Sequence, residues 1–209
     1  MFITFEGGDG AGKSTQITLL CDTLRKNGHT VLQTREPGGS QGAEEIRGLL
    51  VTGDSKRWSV ETEALLMFAA RRDHLEKTIL PALARGEIVI CDRFVDSSMA
   101  YQGIAGDVGK DFVAALSELV VGANQPDITI ILDIDTDQGL ARATTDNGEG
   151  RFESKGSDYQ KAVRQAFLDI AAVNNDRCVV IDANGSIEII RKQILDHLGA
   201  RAPELFHGS

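Results

Sequence analysis

The stretch Gly7-Gly8-Asp9-Gly10-Ala11-Gly12-Lys13-Ser14-Thr15 sets glycine, lysine and hydroxyl side chains at the spacing G-x-x-x-x-G-K-[ST]. Each residue type has a physical purpose there. Glycines let the backbone turn tightly and aim its N–H groups at phosphate oxygens. A helix beginning near Lys13 adds the positive end of its dipole. The Lys13 ammonium can then reach β- and γ-phosphates, and the Ser14 hydroxyl can coordinate Mg²⁺. An apolar run (Met1–Phe5) precedes the motif and an amphipathic stretch follows it. That context separates a phosphate loop from a chance glycine turn, and it implies binding of a nucleoside triphosphate.

A phosphate loop alone does not say what happens to the triphosphate. Switch GTPases carry N-K-x-D, which this sequence lacks, and motor ATPases usually end a strand in paired Asp-Glu. Here Ile88-Val89-Ile90-Cys91 ends in Asp92-Arg93. The carboxylate suits the Mg²⁺ shell, and the guanidinium offers a fork to phosphoryl oxygens. More arginines fall where a second, phosphorylated substrate would need them. Thr34-Arg35-Glu36-Pro37-Gly38-Gly39 closes a strand in a Pro-Gly turn, Arg47 follows on the next helix, and Arg71-Arg72 stands behind Met67-Phe68. One arginine alone reads as a surface ion pair. Several at strand ends and on one helix face read as an acceptor-phosphate site.

The elements that must position these groups alternate. Strands are expected at Phe2–Glu6, Thr30–Thr34, Ile88–Asp92, Ile128–Asp133 and Cys178–Asp182. They are continuous apolar runs, as parallel strands covered on both faces require. Helices are expected at Lys13–Asn27, Gly42–Leu50, Glu61–Leu83, Asp111–Val121, Thr136–Ala143, Tyr159–Ala172 and Ile187–Leu198, with Gly28 and Gly86 as C-terminal caps. The fold class is α/β: a P-loop domain with a five-stranded parallel sheet and helices on both faces. The polar, Gly-rich segment 144–157 is either a lid over the site or a plain surface loop. An apolar stripe of Ile187, Ile190, Ile194 and Leu198 is expected in the core, and the tail Gly199–Ser209 is expected to fray.

Composition sets the outer limits. With 209 residues the chain is one domain, residues 1–209, able to fold without staples. Its 22 Lys and Arg against 31 Asp and Glu give a net charge of −9, which excludes a dedicated nucleic-acid binder. The longest apolar runs, such as Ile128–Ile134, are far short of the ~20 residues of a membrane helix. Cys21, Cys91 and Cys178 lie apart among apolar residues and read as buried thiols of a reducing compartment. The N-terminus has no basic region of a signal peptide, so the expected location is cytoplasmic.

Taken together, these residues resemble a known family, the thymidylate kinases, over most of the chain. The resemblance rests on FEGGDGAGKST (5–15), TREPGG (34–39), LLMFAARRDH (65–74), PALARG (81–86), DRFVDSSMAYQG (92–103), Pro126-Asp127 and Arg151-Phe152-Glu153. It implies transfer of the γ-phosphoryl group of ATP to dTMP with Mg²⁺, and a homodimer packed through long helices. By the same resemblance, Asp9 contacts the acceptor's sugar, and Arg35, Arg47 and Arg93 hold its phosphate, with Arg93 also steadying the transferring group. Arg71, Ser98 and Gln102 read the base, Tyr101 crowds the sugar 2′ position, and Glu36 orients the arginines or a magnesium-bound water.

Two departures from the family pattern stand out. Four positions before the base-reading arginine the family usually places an aromatic ring, and here Met67 stands there with Phe68 adjacent. Either Met67 makes the contact, or Phe68 supplies the ring, or the pair shifts to Phe68 with Arg72. The second concerns the catalytic arginine that bacterial members without an arginine in the P-loop carry in the lid. Residues 144–150 contain none, which leaves Arg142 at the base of the segment and Arg151 at its exit. The rival readings are another nucleoside monophosphate kinase, for UMP, CMP or AMP, and a nucleotide-dependent switch.

Overall fold

The computed structural model describes residues 1–54, 57–143 and 156–206. Five strands, β1 (Phe2–Gly7), β2 (Val31–Arg35), β3 (Ile88–Asp92), β4 (Ile128–Asp133) and β5 (Cys178–Asp182), form one sheet in the order β2-β3-β1-β4-β5. All four pairings are parallel. The central strand β1 is buried throughout, which is why it is apolar on both faces. Its alternation sorts the two core layers. Ile3 and Phe5 pack with Ile17, Leu20, Leu24, Ile190 and Ile194. Phe2, on the opposite face, packs with Phe68, Leu75, Ile79 and Phe94. Thr4 and Glu6 share the Phe2 face by alternation, so the strand places a carboxylate inside the second layer.

The helices follow the expected segments to within a few residues: α1 (Lys13–Lys26), α2 (Gln41–Val51), α6 (Lys110–Val120), α7 (Thr136–Ala143), α8 (Ser157–Val173) and α9 (Ile187–Arg201). The segment expected as one helix over Glu61–Leu83 is α3 (Val60–His74), a π-helical stretch (Leu75–Ile79) and α4 (Leu80–Ala84). Pro81 has no N–H to return, and its ring would press on the carbonyl four residues back, so the ladder widens just ahead of it. No periodic signal marks residues 95–104. The chain nonetheless coils there, as α5 (Val95–Ser98) and a second π-helical stretch (Met99–Ile104).

Two expectations at the C-terminus are corrected. The tail does not fray at Gly199: α9 reaches Arg201, a 3₁₀ turn covers Pro203–Leu205, and Ala202 and Leu205 are buried against the α1–α9 layer. The Leu205 carbonyl accepts a hydrogen bond from Nδ2 of the Asn27 side chain. In the stripe on α9, Ile190, Ile194 and Leu198 are buried, but Ile187, on the first turn, is half exposed. The three cysteines are buried and unpaired with one another. Among the described residues no helix is long and apolar enough to cross a membrane.

The chain leaves β1, builds β2 and β3 on one side, and then crosses to β4 and β5 on the other. The loop after β1 therefore sits where an open parallel sheet forms its crevice, at the carboxyl ends of the strands.

Candidate active site

Residues 8–12 turn from β1 into α1, and Gly7 itself ends the strand in contact with β4. A Cβ on Gly7 would run into the carbonyl oxygen of Leu132, so the close approach of the two backbones demands glycine. Lys13 folds back over the loop, its Nζ donating to the carbonyls of Gly7 (3.1 Å) and Gly8 (2.9 Å). Burial and the neighbouring Arg93 push the Lys13 ammonium down to about 8, with Asp92, Asp9 and Glu6 pulling the other way. Such a lysine has much to gain from an incoming polyanion. The Ser14 hydroxyl donates to Oδ2 of Asp92 at 3.2 Å. Thr15 is exposed on the same turn.

Arg93 follows β3 directly and adopts a left-handed backbone (φ 68°), a conformation non-glycine residues avoid unless their surroundings impose it. Its amide donates to the Phe5 carbonyl, which ties the turn to β1. Its guanidinium reaches the Gly7 carbonyl and the Ser97 hydroxyl, both at 3.1 Å, and Oδ1 of Asp9 at 2.6 Å. It also lies 5.1 Å from the centre of the Tyr101 ring. Burial would raise Asp9, but Arg93 and Lys13 outweigh it and hold the carboxylate below its ordinary range. Burial pushes the Tyr101 phenol well up, so it stays neutral.

Beside this group lies a buried polar cluster centred on Arg71 of α3. Arg71, 2% exposed, donates from Nε to Glu36 (2.7 Å), from Nη2 to the Phe94 carbonyl (2.9 Å) and from both Nη atoms to Ser98 Oγ (3.2 Å). The faces of Phe68 and Phe94 lie 4.6 and 5.1 Å from its guanidinium carbon. The second Glu36 oxygen meets His74 Nδ1 at 3.0 Å, and His74 Nε2 meets Thr34 Oγ1 at 2.7 Å. Gln102 donates from Nε2 to the buried Glu63 at 2.9 Å. Phe68 is itself only 1% exposed, a prop beneath Arg71 with no open ring face, whereas Met67 is half-buried. Arg72 points away, to Glu76 and the Val120 carbonyl.

The other sequence-selected residues lie further out. Arg35 is exposed and pairs with Glu44 at 3.1 Å. Arg47 donates to the Pro37 carbonyl at 2.6 Å, bracing the turn after β2. Arg142 lies on the far flank of the phosphate loop, donating to the Ala183 carbonyl beyond β5. Arg151 and residues 144–155 of the expected lid lie outside the described residues.

The thymidylate kinase family model matches residues 5–194. The chain is 54% identical to the thymidylate kinase of Caulobacter vibrioides, covering 93% of this chain and 94% of that one. It is 50% identical to that of Ruegeria pomeroyi, covering 94% and 93%. The chain belongs to the thymidylate kinase family. The crystal structure of thymidylate kinase from Ehrlichia chaffeensis superposes with a TM-score of 0.77 at 35% identity, over 95% of this chain and 98% of that one. The fold and the class of enzyme, a nucleoside monophosphate kinase, follow from this membership.

Thymidylate kinase chemistry calls for Mg²⁺, and two residues here fit it. Oδ1 of Asp92 is buried without a hydrogen-bond partner among the described residues, while Oδ2 holds the Ser14 hydroxyl. Two hard oxygen donors beside a phosphate cradle suit an ion that keeps several waters and binds few protein ligands. Sequence reasoning about this family site missed Glu6, Glu63, His74, Asp96, Ser97 and Arg177, all but Arg177 buried outright. Glu6 accepts from the Phe94 amide and the Ser97 hydroxyl. Burial and the nearby Asp96 carboxylate push its carboxyl up to about 7. Asp96 is held by both Nη atoms of Arg177, which also donates to Thr129. One signal was available: Glu63 and His74 share a helix with Arg71, at spacings that return to nearly the same face.

Proposed function

We propose that this chain transfers the γ-phosphoryl group of ATP to dTMP, giving ADP and dTDP. The observation that carries the reading is the pairing of two phosphate-ready groups through one carboxylate. Lys13 over the loop and Arg93 at the end of β3 both face Asp9, with the Arg71–Ser98 cluster alongside to receive a base. In this reading the loop amides and Lys13 bind the donor's phosphates, and Arg93, with Arg35 and Arg47 from the rim, binds the acceptor phosphate. Asp9 exchanges its bond to Arg93 for one to a sugar hydroxyl. Arg71 donates to the thymine edge, with Ser98 and Gln102 as further polar readers, Met67 against the base and Tyr101 against the sugar. Glu36 holds Arg71 in its rotamer, and Phe68 supports it from below.

No protein nucleophile is required, because the acceptor phosphate is already an anion. Catalysis is therefore positioning and charge neutralisation. Mg²⁺, held by Ser14 and Asp92, would supply neutralising charge on the β- and γ-phosphoryl oxygens. Arg142 or Arg151 serves as the further transition-state arginine. Separate alanine substitutions distinguish them, the responsible one costing more than about tenfold in kcat.

The homodimer implied by the family is supported by exposed leucines on neighbouring helices, Leu49 on α2, Leu65 on α3 and Leu119 on α6. A cytoplasmic location agrees with the expected reducing surroundings of three free, buried thiols. The deciding experiment is turnover of dTMP against UMP, CMP and AMP with ATP and Mg²⁺. Preference for dTMP supports the proposal, and preference for another monophosphate overturns it. Hydrolysis of ATP without acceptor, faster than transfer, would favour the switch.

A further inference from the structure

Glu6 touches no reacting group in the proposed transfer, although it is a fully buried carboxylate next to the phosphate loop. Its two oxygens are committed to one turn. Oε1 accepts from the Phe94 amide at 2.8 Å, and Oε2 accepts from the Ser97 hydroxyl at 2.5 Å. The same Ser97 oxygen accepts from Arg93 Nη1 at 3.1 Å. A directional chain results, guanidinium to hydroxyl to carboxylate, in which each member donates to the next.

The backbone gives the first of these bonds its purpose. Arg93 sits at φ 68° and Phe94 at φ −155°, so the chain reverses between β3 and α5 and turns the Phe94 amide inward. An inward N–H without an acceptor would be strongly unfavourable, and the left-handed residue before it adds to the cost. The carboxylate at the end of β1 takes that N–H and stabilises the reversal. Glu6 thus holds Arg93 at both ends, its main chain through Phe94 and its guanidinium through Ser97.

We infer that Glu6 is a positioning residue for Arg93, fixing through Phe94 and Ser97 the direction in which the guanidinium meets the acceptor phosphate. The inference rests on the proposed role of Arg93. Ser97 is the link in the chain, and its hydroxyl is needed for its two-way bonding rather than for contact with substrate. A glutamine at position 6 can still accept from Phe94, but its amide then donates to Ser97. The hydroxyl must reverse, and it no longer has a charge to draw on.

A double-mutant cycle at pH 8, with kcat and KM for dTMP and ATP measured separately, tests this. Glu6→Gln is expected to lower kcat/KM for dTMP by about 10- to 100-fold while moving the KM for ATP less than about threefold. In an Arg93→Lys background the same change is expected to cost less than about threefold, because the group it aims has gone. Ser97→Ala keeps the carboxylate and its bond to Phe94, and follows the same pattern with a loss of about tenfold. It also serves as the test should Glu6→Gln fail to fold. An equal loss in both backgrounds, or a loss under about threefold in the parent chain, overturns the inference and leaves Arg93's role intact. If Arg93→Lys alone costs under about threefold, the reading of Arg93 fails and the inference falls with it.

Discussion

Replacing Gly39 with alanine should damage this protein more than almost any other single methyl. Gly39 lies in the turn after β2 at φ 86°, where an L side chain costs about 1–2 kcal/mol. The new Cβ would also fall 2.6 Å from Cδ2 of His74 and against the Thr34 hydroxyl. Neither neighbour can retreat easily. His74 has no exposed surface, and its two nitrogens are held by Glu36 and Thr34. The turn itself is pinned, because the Gly39 amide donates to Glu44 and its carbonyl accepts from Thr78, both at 2.8 Å. Overpacking of this kind costs about 1–3 kcal/mol. Losing the His74 contact to a buried carboxylate adds about 1–3 more. Together these give about 3–8 kcal/mol, a large share of the roughly 5–15 kcal/mol of a whole domain.

Gly28→Ala provides the internal control. Gly28 has nearly the same backbone (φ 92°), but nothing lies within 4 Å of its Cβ position, so only the conformational cost of about 1–2 kcal/mol applies. Urea denaturation followed by far-UV circular dichroism should separate the two variants by about 2–6 kcal/mol. Kinetics should show a raised KM for dTMP in Gly39→Ala, since a displaced His74 moves Glu36 and with it Arg71. Equal stability of the two variants would refute the claim that the His74 ring is a fixed wall.

Other expectations rest on the same geometry. Phe68→Ala removes the ring beneath Arg71 and should cost about 3–5 kcal/mol in chemical denaturation, with KM for dTMP rising as the guanidinium loses its support. Asp92→Asn should raise the Mg²⁺ concentration needed for half-maximal rate at least tenfold, and chelation by EDTA should abolish transfer by the parent chain. The Glu6 carboxyl is raised to about 7 in the fold from 4.5, so the folded state binds the extra proton. Its contribution to stability is then full below about pH 4.5 and is lost as pH rises through about 7. Denaturation curves at pH 5, 6, 7 and 8 should show the parent chain losing ground to Glu6→Gln by up to a few kcal/mol, with the change confined to that window.

The strands and the phosphate loop were legible in the sequence because their signals are local. Continuous apolar runs mark β1, β3 and β4, and the Gly-x-x-x-x-Gly-Lys-Ser spacing is a backbone requirement written directly in residue types. The arginines were legible as a set, but their separate duties were not, since a guanidinium's role depends on what lies opposite it. Arg71 and Arg72 are neighbours in sequence, yet one is enclosed by Glu36 and Ser98 and the other faces Glu76. Helical phase decides between them, and the π-helical stretch downstream of α3 is not marked by any periodicity. Glu6, Ser97 and His74 escaped notice for another reason. Buried polar groups are recognised by their partners, and those partners lie as much as 91 positions away in the chain.

The π-helical stretch Met99–Ile104 places a constraint on chain length here. A π-turn takes in one residue more than an α-turn, so this segment holds a residue that an ordinary helix would not use. Deleting Met99 would restore standard backbone pairing at little cost to the helix. The flanking residues would keep their phase, but the residues inside the stretch would change phase relative to Ser98. Ser98 could then keep its place beside Arg71 only if Tyr101 and Gln102 swung off the surfaces they now share with Arg93 and Glu63. Substitution along this stretch alters individual contacts. A change in its length uncouples Ser98 and its contact to Arg71 from Tyr101 and Gln102, so insertions and deletions should be far rarer here than replacements.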